Sequence, residues 1–370
     1  MSLLNRKAVW QKRSRPLRAA AALALSLLTV ISVSAPSLAV EGWEKFDKHW
    51  KTQVLEINVG IKFKLRDALF CQIADMSSTY HDYVFSASNR DPGYRVVQVA
   101  TAFPVKAKGN KTYILTARHV FDSTDKLVFA FQQFYSGMRL YAEQTATNRD
   151  AEERFRELLQ IINLSTKKRE WSQAEKITYE TTRENIWDTY YTYLSTKADP
   201  SRTRFEKYLK LANVTAEVGY FLHVSGPVTQ PPLIAKLLKA SKPDTDPDIA
   251  VLTVEKNNLV PLELDPEEAN EGQEVQVIGY PIASDQIDTE ANNYYTPTFS
   301  NGHVTRVTPH LVQVDASITT GNSGGPVMSQ RGKVLGLIVR RALTDSGAEL
   351  NKFAAAISVQ QIKEFAPELF

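Results

Sequence analysis

A serine acting as a nucleophile needs a base to take its proton and N–H groups to hold the oxyanion that forms. Ser323 has suitable surroundings. The stretch Thr319-Thr320-Gly321-Asn322-Ser323-Gly324-Gly325-Pro326-Val327 sets it among three glycines. Glycine tolerates backbone angles that a Cβ forbids, so the run suits a tight loop whose amides turn inward. The same composition also describes an ordinary turn between strands. The base and an orienting acid must come from elsewhere in the chain.

His119 is one candidate. It follows Tyr113-Ile114-Leu115-Thr116-Ala117, just beyond a β-rich run, where a lone histidine is equally at home as a packed or surface residue. Asp248 heads the apolar run Ile249-Ala250-Val251-Leu252-Thr253-Val254. An acid there either caps a loop or is a buried carboxylate holding an imidazole. Asp244 and Asp246 compete with it from the proline-containing loop just before.

The elements that must position these groups are short and β-rich. Val96 to Val105 and Tyr113 to Ala117, joined by Lys108-Gly109-Asn110-Lys111, read as a hairpin. Lys126–Phe134, Gly219–Val224, Leu233–Leu238, Val275–Pro281, Gly302–Val307, Leu311–Ile318, Gly332–Val339 and Phe353–Ser358 read as further strands. Many short strands without βαβ alternation predict a mainly β fold of two barrels. Between about 142 and 212 the chain turns charged and helical. Phe155, Leu158, Leu159 and Ile162, then Ile186, Trp187, Tyr190, Tyr191 and Leu194, recur at helical spacing, and Phe205, Tyr208 and Leu209 continue the pattern. This predicts an α-helical insertion in the first barrel. Trp43, Phe46, His49 and Trp50 predict a short amphipathic helix, Leu65–Met76 another helix, and 358–368 a closing one.

The first segment predicts export. Arg6, Lys7, Lys12, Arg13, Arg15 and Arg18 precede an apolar run from Ala19 to about Val33, then Ser34-Ala35-Pro36-Ser37-Leu38-Ala39. This is a signal-peptide pattern over 1–39 with cleavage before Val40, an uncleaved anchor being the alternative. Ser14 separates Arg13 from Arg15, so general secretion fits better than a twin-arginine route. Hydrophobic residues make up 43% and charged residues 23% of the chain, an ordinary globular balance. No long basic block suggests nucleic acid. Cys71 is the single cysteine, so no internal disulfide can form. It reads as a buried apolar residue, with an intermolecular disulfide or reactive thiol as the alternative. No HExxH or Cys/His spacing suggests a metal, and no cofactor is expected.

His119, Asp248 and Ser323 occur in the order His…Asp…Ser, which differs from the α/β-hydrolase and subtilisin orders. Leu115-Thr116-Ala117-Arg118-His119-Val120, Asp248-Ile249-Ala250-Val251-Leu252 and Gly321-Asn322-Ser323-Gly324-Gly325-Pro326 resemble the signature stretches of trypsin-like serine proteases. The spelling with Asn322 is closest to the bacterial HtrA-like and glutamyl-endopeptidase branch. The resemblance covers about 96–135 and 230–365, with support from Val277-Ile278-Gly279-Tyr280-Pro281 and Gly302-His303-Val304.

The resemblance implies a chymotrypsin-like double β-barrel and a serine endopeptidase with His119, Asp248 and Ser323 as its triad. It implies an oxyanion hole from the N–H groups of Gly321 and Ser323. It implies a pocket near Ile318, Ile338, Val339 and Arg340: the apolar residues favour small or medium apolar side chains, Arg340 and Arg341 an acidic one. Where trypsin has an aspartate before the serine, this chain has Asn322, so activation by a charge pair to a newly clipped N-terminus is not expected. Val99-Ala100-Thr101-Ala102-Phe103 lacks the glycine usual before this Thr or Ser, and no PDZ domain is expected. The organisation expected is an extension over 40–94 and a protease domain over 95–370, with a protein or peptide substrate, no nucleic-acid partner, a membrane only through an uncleaved signal, and a possible homo-oligomer. The alternative is a non-catalytic trypsin-fold binding or chaperone-like module with the insertion as its docking platform.

Overall fold

Leu55, Ile57, Val59, Ile61 and Phe63 alternate along strand β1 (Leu55–Lys64), and all five are fully buried. A period of two puts them on one face of a sheet. In the computed structural model β1 lies between β4 (Arg95–Lys108) and β6 (Thr215–His223), antiparallel to both. The series continues through β5 (Lys111–Thr116), β9 (Ala250–Glu255) and β8 (Leu233–Ala240) back to β6, so the β1–β6 pairing closes a first barrel. A hairpin of β2 (Phe70–Asp75) and β3 (Asp82–Ser86) extends the sheet beyond β1.

The second barrel closes in the order β10 (Glu274–Gly279), β12 (Thr298–Val307), β13 (Leu311–Val314), β16 (Glu349–Ser358), β15 (Val334–Leu343) and β14 (Pro326–Ser329). A two-stranded ribbon pairs β7 (Gly226–Pro227) with β11 (Tyr294–Tyr295). The fold is the double β-barrel expected. The structure describes residues 43–370 except 66–69, 76–81, 87–92, 148–149, 164–170, 196–214, 244–246, 256–257, 266–268, 283–292 and 344–348. The leader expected over 1–39, the stripe through Phe205, Tyr208 and Leu209, and the side chain of Cys71 lie outside the described residues.

Apolar packing joins the barrels. One buried cluster holds Leu55, Ile57, Ala102 and Leu115 from the first barrel with Ile278, Met328 and Leu337 from the second. Helix α1 (Glu44–Gln53) adds Trp50, stacked on Phe46 at 4.8 Å between ring centroids. The C-terminal helix, Val359–Phe365, adds Ile362, and Ser358 Oγ caps it by accepting from Gln361 N. Interior burial of this kind stabilises by roughly 1.5–3 kcal/mol per large apolar side chain.

The helical insertion stands between β5 and β6 and, among the described residues, holds α2 (Asp122–Thr145), α3 (Ala151–Ile162) and α4 (Gln173–Ser195). It has its own core. Phe131, Phe134, Met138, Phe155, Leu158 and Ile186 pack with Ile61 and Phe63 at the far end of β1 and with Leu65 just beyond it. Phe63 and Phe131 stack at 4.4 Å.

Two secondary-structure expectations change. Lys126–Phe134 is not a strand but lies inside α2. Leu127, Phe131, Phe134 and Met138 are buried at helical spacing, and Asp122 and Asp125 sit in the first turn, where a carboxylate favours the helix dipole. The helix expected over Leu65–Met76 gives way at Phe70–Asp75 to β2, whose backbone pairs with β1 at Phe63↔Cys71 and with β3. The segment expected as an N-terminal extension also contributes β1, a strand the first barrel needs for closure.

Candidate active site

Strands β5 and β9 are antiparallel neighbours with Thr116 opposite Ala250. The chain leaving β5 and the chain entering β9 therefore lie side by side, and those are the segments carrying His119 and Asp248. His119 stands in a single 3-10 turn, Arg118–Phe121. Asp248 accepts from the His119 backbone N–H at 2.8 Å through Oδ1 and meets Nδ1 of the ring at 2.7 Å through Oδ2. The carboxyl group thus fixes both backbone and ring. With a carboxylate against Nδ1, the proton of a neutral imidazole sits on Nδ1 and Nε2 is left as the acceptor. Asp248 is 7% exposed, whereas the His119 side chain is 38% exposed.

The neighbouring Arg118 is nearly buried. Its backbone N–H donates to Asp248 O at 3.3 Å, its Nε to Ser241 O at 3.1 Å, and its Nη1 pairs with Asp122 Oδ1 at the first residue of α2.

Ser323 is partly exposed on the loop between β13 and β14. Two glycines there are sterically required. Gly321 has φ +104°, and a Cβ on it would stand 2.1 Å from Tyr280 O. Gly324 has φ +86°, and a Cβ would stand 2.0 Å from Thr101 O and 2.3 Å from Thr116 Oγ1. Only glycine permits that approach. Thr116 lies three residues before His119, so the Ser323 loop is pressed against the strand that delivers the histidine.

The loop's peptide groups are fixed one by one. Thr320 O accepts from Ile282 N at 3.0 Å, and Asn322 O accepts from Gly325 N at 2.9 Å. In a trans peptide the N–H points opposite to the C=O. The N–H groups of Gly321 and Ser323 therefore face away from those partners, and among the described residues neither donates to a protein acceptor. Asn322 N donates to Thr319 O at 3.1 Å and Gly324 N to Ile338 O at 2.7 Å. Asn322 itself is 3% exposed, and its buried Oδ1 has no hydrogen-bond partner among the described residues.

Thr101 of β4 joins this loop to the first barrel. Its N–H donates to Ser323 O at 2.9 Å, its Oγ1 donates to Gly321 O at 2.7 Å, and the same Oγ1 accepts from Tyr280 N at 2.9 Å. Thr116 Oγ1 donates to Thr101 O at 2.8 Å. Tyr280 OH donates to Val54 O at 3.1 Å, and burial raises the tyrosine's pKa far above its ordinary value. The hydroxyl thus stays a neutral donor.

Of the expected pocket residues, Ile338 is fully buried in the second barrel's core with Ile318 packed at its margin. Val339 faces the other way, into the cluster shared by both barrels. Arg340 lies on β15 with its side chain outside the described residues. Among the described residues no group of three or more His, Cys, Asp or Glu could hold a metal ion, and no helix is long and apolar enough to cross a membrane.

Residues 224–337 match the family model of the trypsin-like peptidase domain. The chain is similar to trypsin-like proteases of the HtrA type. A probable periplasmic serine endoprotease, DegP-like, from Halomonas elongata is 35% identical over 118 residues, covering 31% of this chain and 24% of that protein. The chain thus spans about a quarter of that relative's length. The crystal structure of a serine endoprotease from Yersinia pestis superposes with a TM-score of 0.42 at 13% identity, over 89% of this chain and 66% of that one. The trypsin-like match includes Asp248 and Ser323; His119 precedes it.

The sequence motifs contained Thr101 and Tyr280 without assigning them a task. Their partners lie 220 and 226 positions away along the chain, at Gly321 and Val54, and no local spacing reveals such a pair. Arg118 was likewise read only as part of the histidine motif.

Proposed function

We propose that this chain is an exported serine endopeptidase working through an acyl-enzyme. His119 Nε2 takes the proton of Ser323 Oγ as Oγ attacks the peptide carbonyl carbon. The oxyanion is received by the N–H groups of Gly321 and Ser323. The tetrahedral species collapses, the C–N bond breaks, and His119 returns the proton to the leaving amine. Water then repeats the sequence on the ester, freeing the acid and restoring Ser323. Asp248 holds the ring with its proton on Nδ1 and stabilises the imidazolium that forms.

The observation that carries this reading is the double hydrogen bond of Asp248 to the backbone and ring of His119, beside a glycine loop that leaves the two N–H groups flanking Asn322 unclaimed. The loop is tied to Thr101, Ile282 and Ile338 by uncharged hydrogen bonds, which supports activity without zymogen clipping. Export rests on the basic, apolar and small-residue leader. Ile318, partly exposed at the margin of the second barrel's core, supports an apolar residue before the scissile bond.

The test is labelling with a serine-directed fluorophosphonate. Residues 40–370 take up the probe as isolated and Ser323→Ala takes up none. Wild-type protein that stays unlabelled, or labels only after a proteolytic cut, overturns the reading.

A further inference from the structure

The loop that carries Ser323 is held from the first barrel by a neutral chain of hydrogen bonds, in which Thr101 touches it twice, once through its backbone N–H and once through its hydroxyl. Thr101 is fully buried on β4, and three of its polar atoms are engaged: N with Ser323 O, O with Thr116 Oγ1, and Oγ1 with both Gly321 O and Tyr280 N. A hydroxyl has one proton and two lone pairs, so donating to Gly321 O and accepting from Tyr280 N uses it in a single orientation. The bond to Gly321 O fixes the peptide after Gly321, whose N–H end is already tied to Thr319 O. The bond from Ile282 N to Thr320 O fixes the peptide before it. With both flanking peptides fixed, the backbone at Gly321 has no rotation left, although its φ of +104° is one a glycine could readily leave. Tyr280 continues the chain to Val54 O, where α1 meets β1.

We propose that Thr101 is the positioning residue of the oxyanion loop, and that its hydroxyl, braced by Tyr280 and Val54, does the ordering that an ion pair at position 322 does in enzymes needing a clip. This rests on reading Ser323 as the nucleophile. Asn322 fits the assignment, since its buried Oδ1 has no hydrogen-bond partner among the described residues. Uncharged partners also make the ordering independent of protonation and of a free N-terminus.

The test uses Thr101→Val, which keeps shape and loses the hydroxyl, and Thr101→Ser, which keeps the hydroxyl. Amide hydrogen exchange reads the brace whether or not the protein hydrolyses anything. In wild type the N–H groups of Tyr280 and Asn322 exchange slowly; exchange there as fast as in exposed loops overturns the proposal without any variant. In T101V both accelerate at least about tenfold while Val277 on β10 stays protected, and in T101S neither does. Fluorophosphonate labelling of T101V slows by roughly 10²-fold, the cost of losing one oxyanion donor, with KM for a peptide ester unchanged and T101S restoring the rate. Unchanged exchange in T101V, or T101S behaving as T101V, overturns the brace. Exchange that responds as described in a wild-type protein that never labels overturns the peptidase reading and leaves the brace standing.

Discussion

The Nε of Arg118 donates to Ser241 O at 3.1 Å, so the residue before His119 is tied to the segment that leads to Asp248. The same guanidinium pairs with Asp122 at the start of α2. One buried cation therefore binds the histidine turn, the aspartate segment and the helical insertion together.

Arg118→Ala is expected to destabilise the protein by about 2–3 kcal/mol, because hydrogen bonds to a charged group are lost and the Ser241 carbonyl loses its donor. Urea unfolding measures the loss, and the ester-hydrolysis rate should fall by about tenfold as the His119 turn loosens. Arg118→Lys recovers little, since an ammonium cannot reproduce the two-sided fork.

Asp248→Asn keeps the size of the side chain and reverses the hydrogen-bond logic. An amide nitrogen facing Nδ1 favours the tautomer with the proton on Nε2, where it cannot accept from Ser323. The turnover number should drop by about 10⁴-fold with substrate binding little changed. Steady-state kinetics on a peptide ester against Ser323→Ala gives the comparison.

Gly324→Ala should be among the most damaging single-carbon additions in the chain. The added Cβ meets Thr101 O at 2.0 Å and Thr116 Oγ1 at 2.3 Å, and its φ of +86° is strained for alanine. A loss of about 3 kcal/mol or more is expected in denaturant titrations, together with loss of probe labelling. Gly109→Ala, where a Cβ meets nothing within 4 Å, controls for the strain of a positive φ alone.

Burial holds the pKa of His223 below the ordinary imidazole value of 6.5. Its ring stacks on Tyr295 at 4.1 Å, and Nδ1 is buried with no partner among the described residues. Below pH 6.5 the unfolded chain binds a proton that the folded protein still refuses, so stability falls as pH drops from about 6.5 toward the lowered folded value. His223→Phe should flatten that part of the curve of melting temperature against pH.

The residues of the proposed triad stood out in the sequence because of their neighbours: an apolar strand before His119, another after Asp248, glycines about Ser323. The barrels were legible because alternation is local. Lys126–Phe134 in helix α2 suits a strand by composition, with Leu127, Val128 and three phenylalanines in nine residues, and only the longer series through Met138 reveals the helical period. Strand β1 hid its membership of the first barrel because its partners lie on β4 and β6, the latter more than a hundred and fifty positions away. Thr101 was out of reach for the same reason: its contacts are set by the meeting of two barrels.

Strand β1 has one more consequence. The face that carries Leu55, Ile57 and Val59 into the core shared by the barrels carries Ile61 and Phe63 into the core of the helices, and Leu65 just past the strand follows them. The helices are consequently not a cassette that can be cut out at its two ends. A chain joined across 122–214 would keep its barrel and bare Ile61 and Phe63 at the end of β1 and Leu65 just after it, so the shortened protein should aggregate unless those three are made polar in the same step.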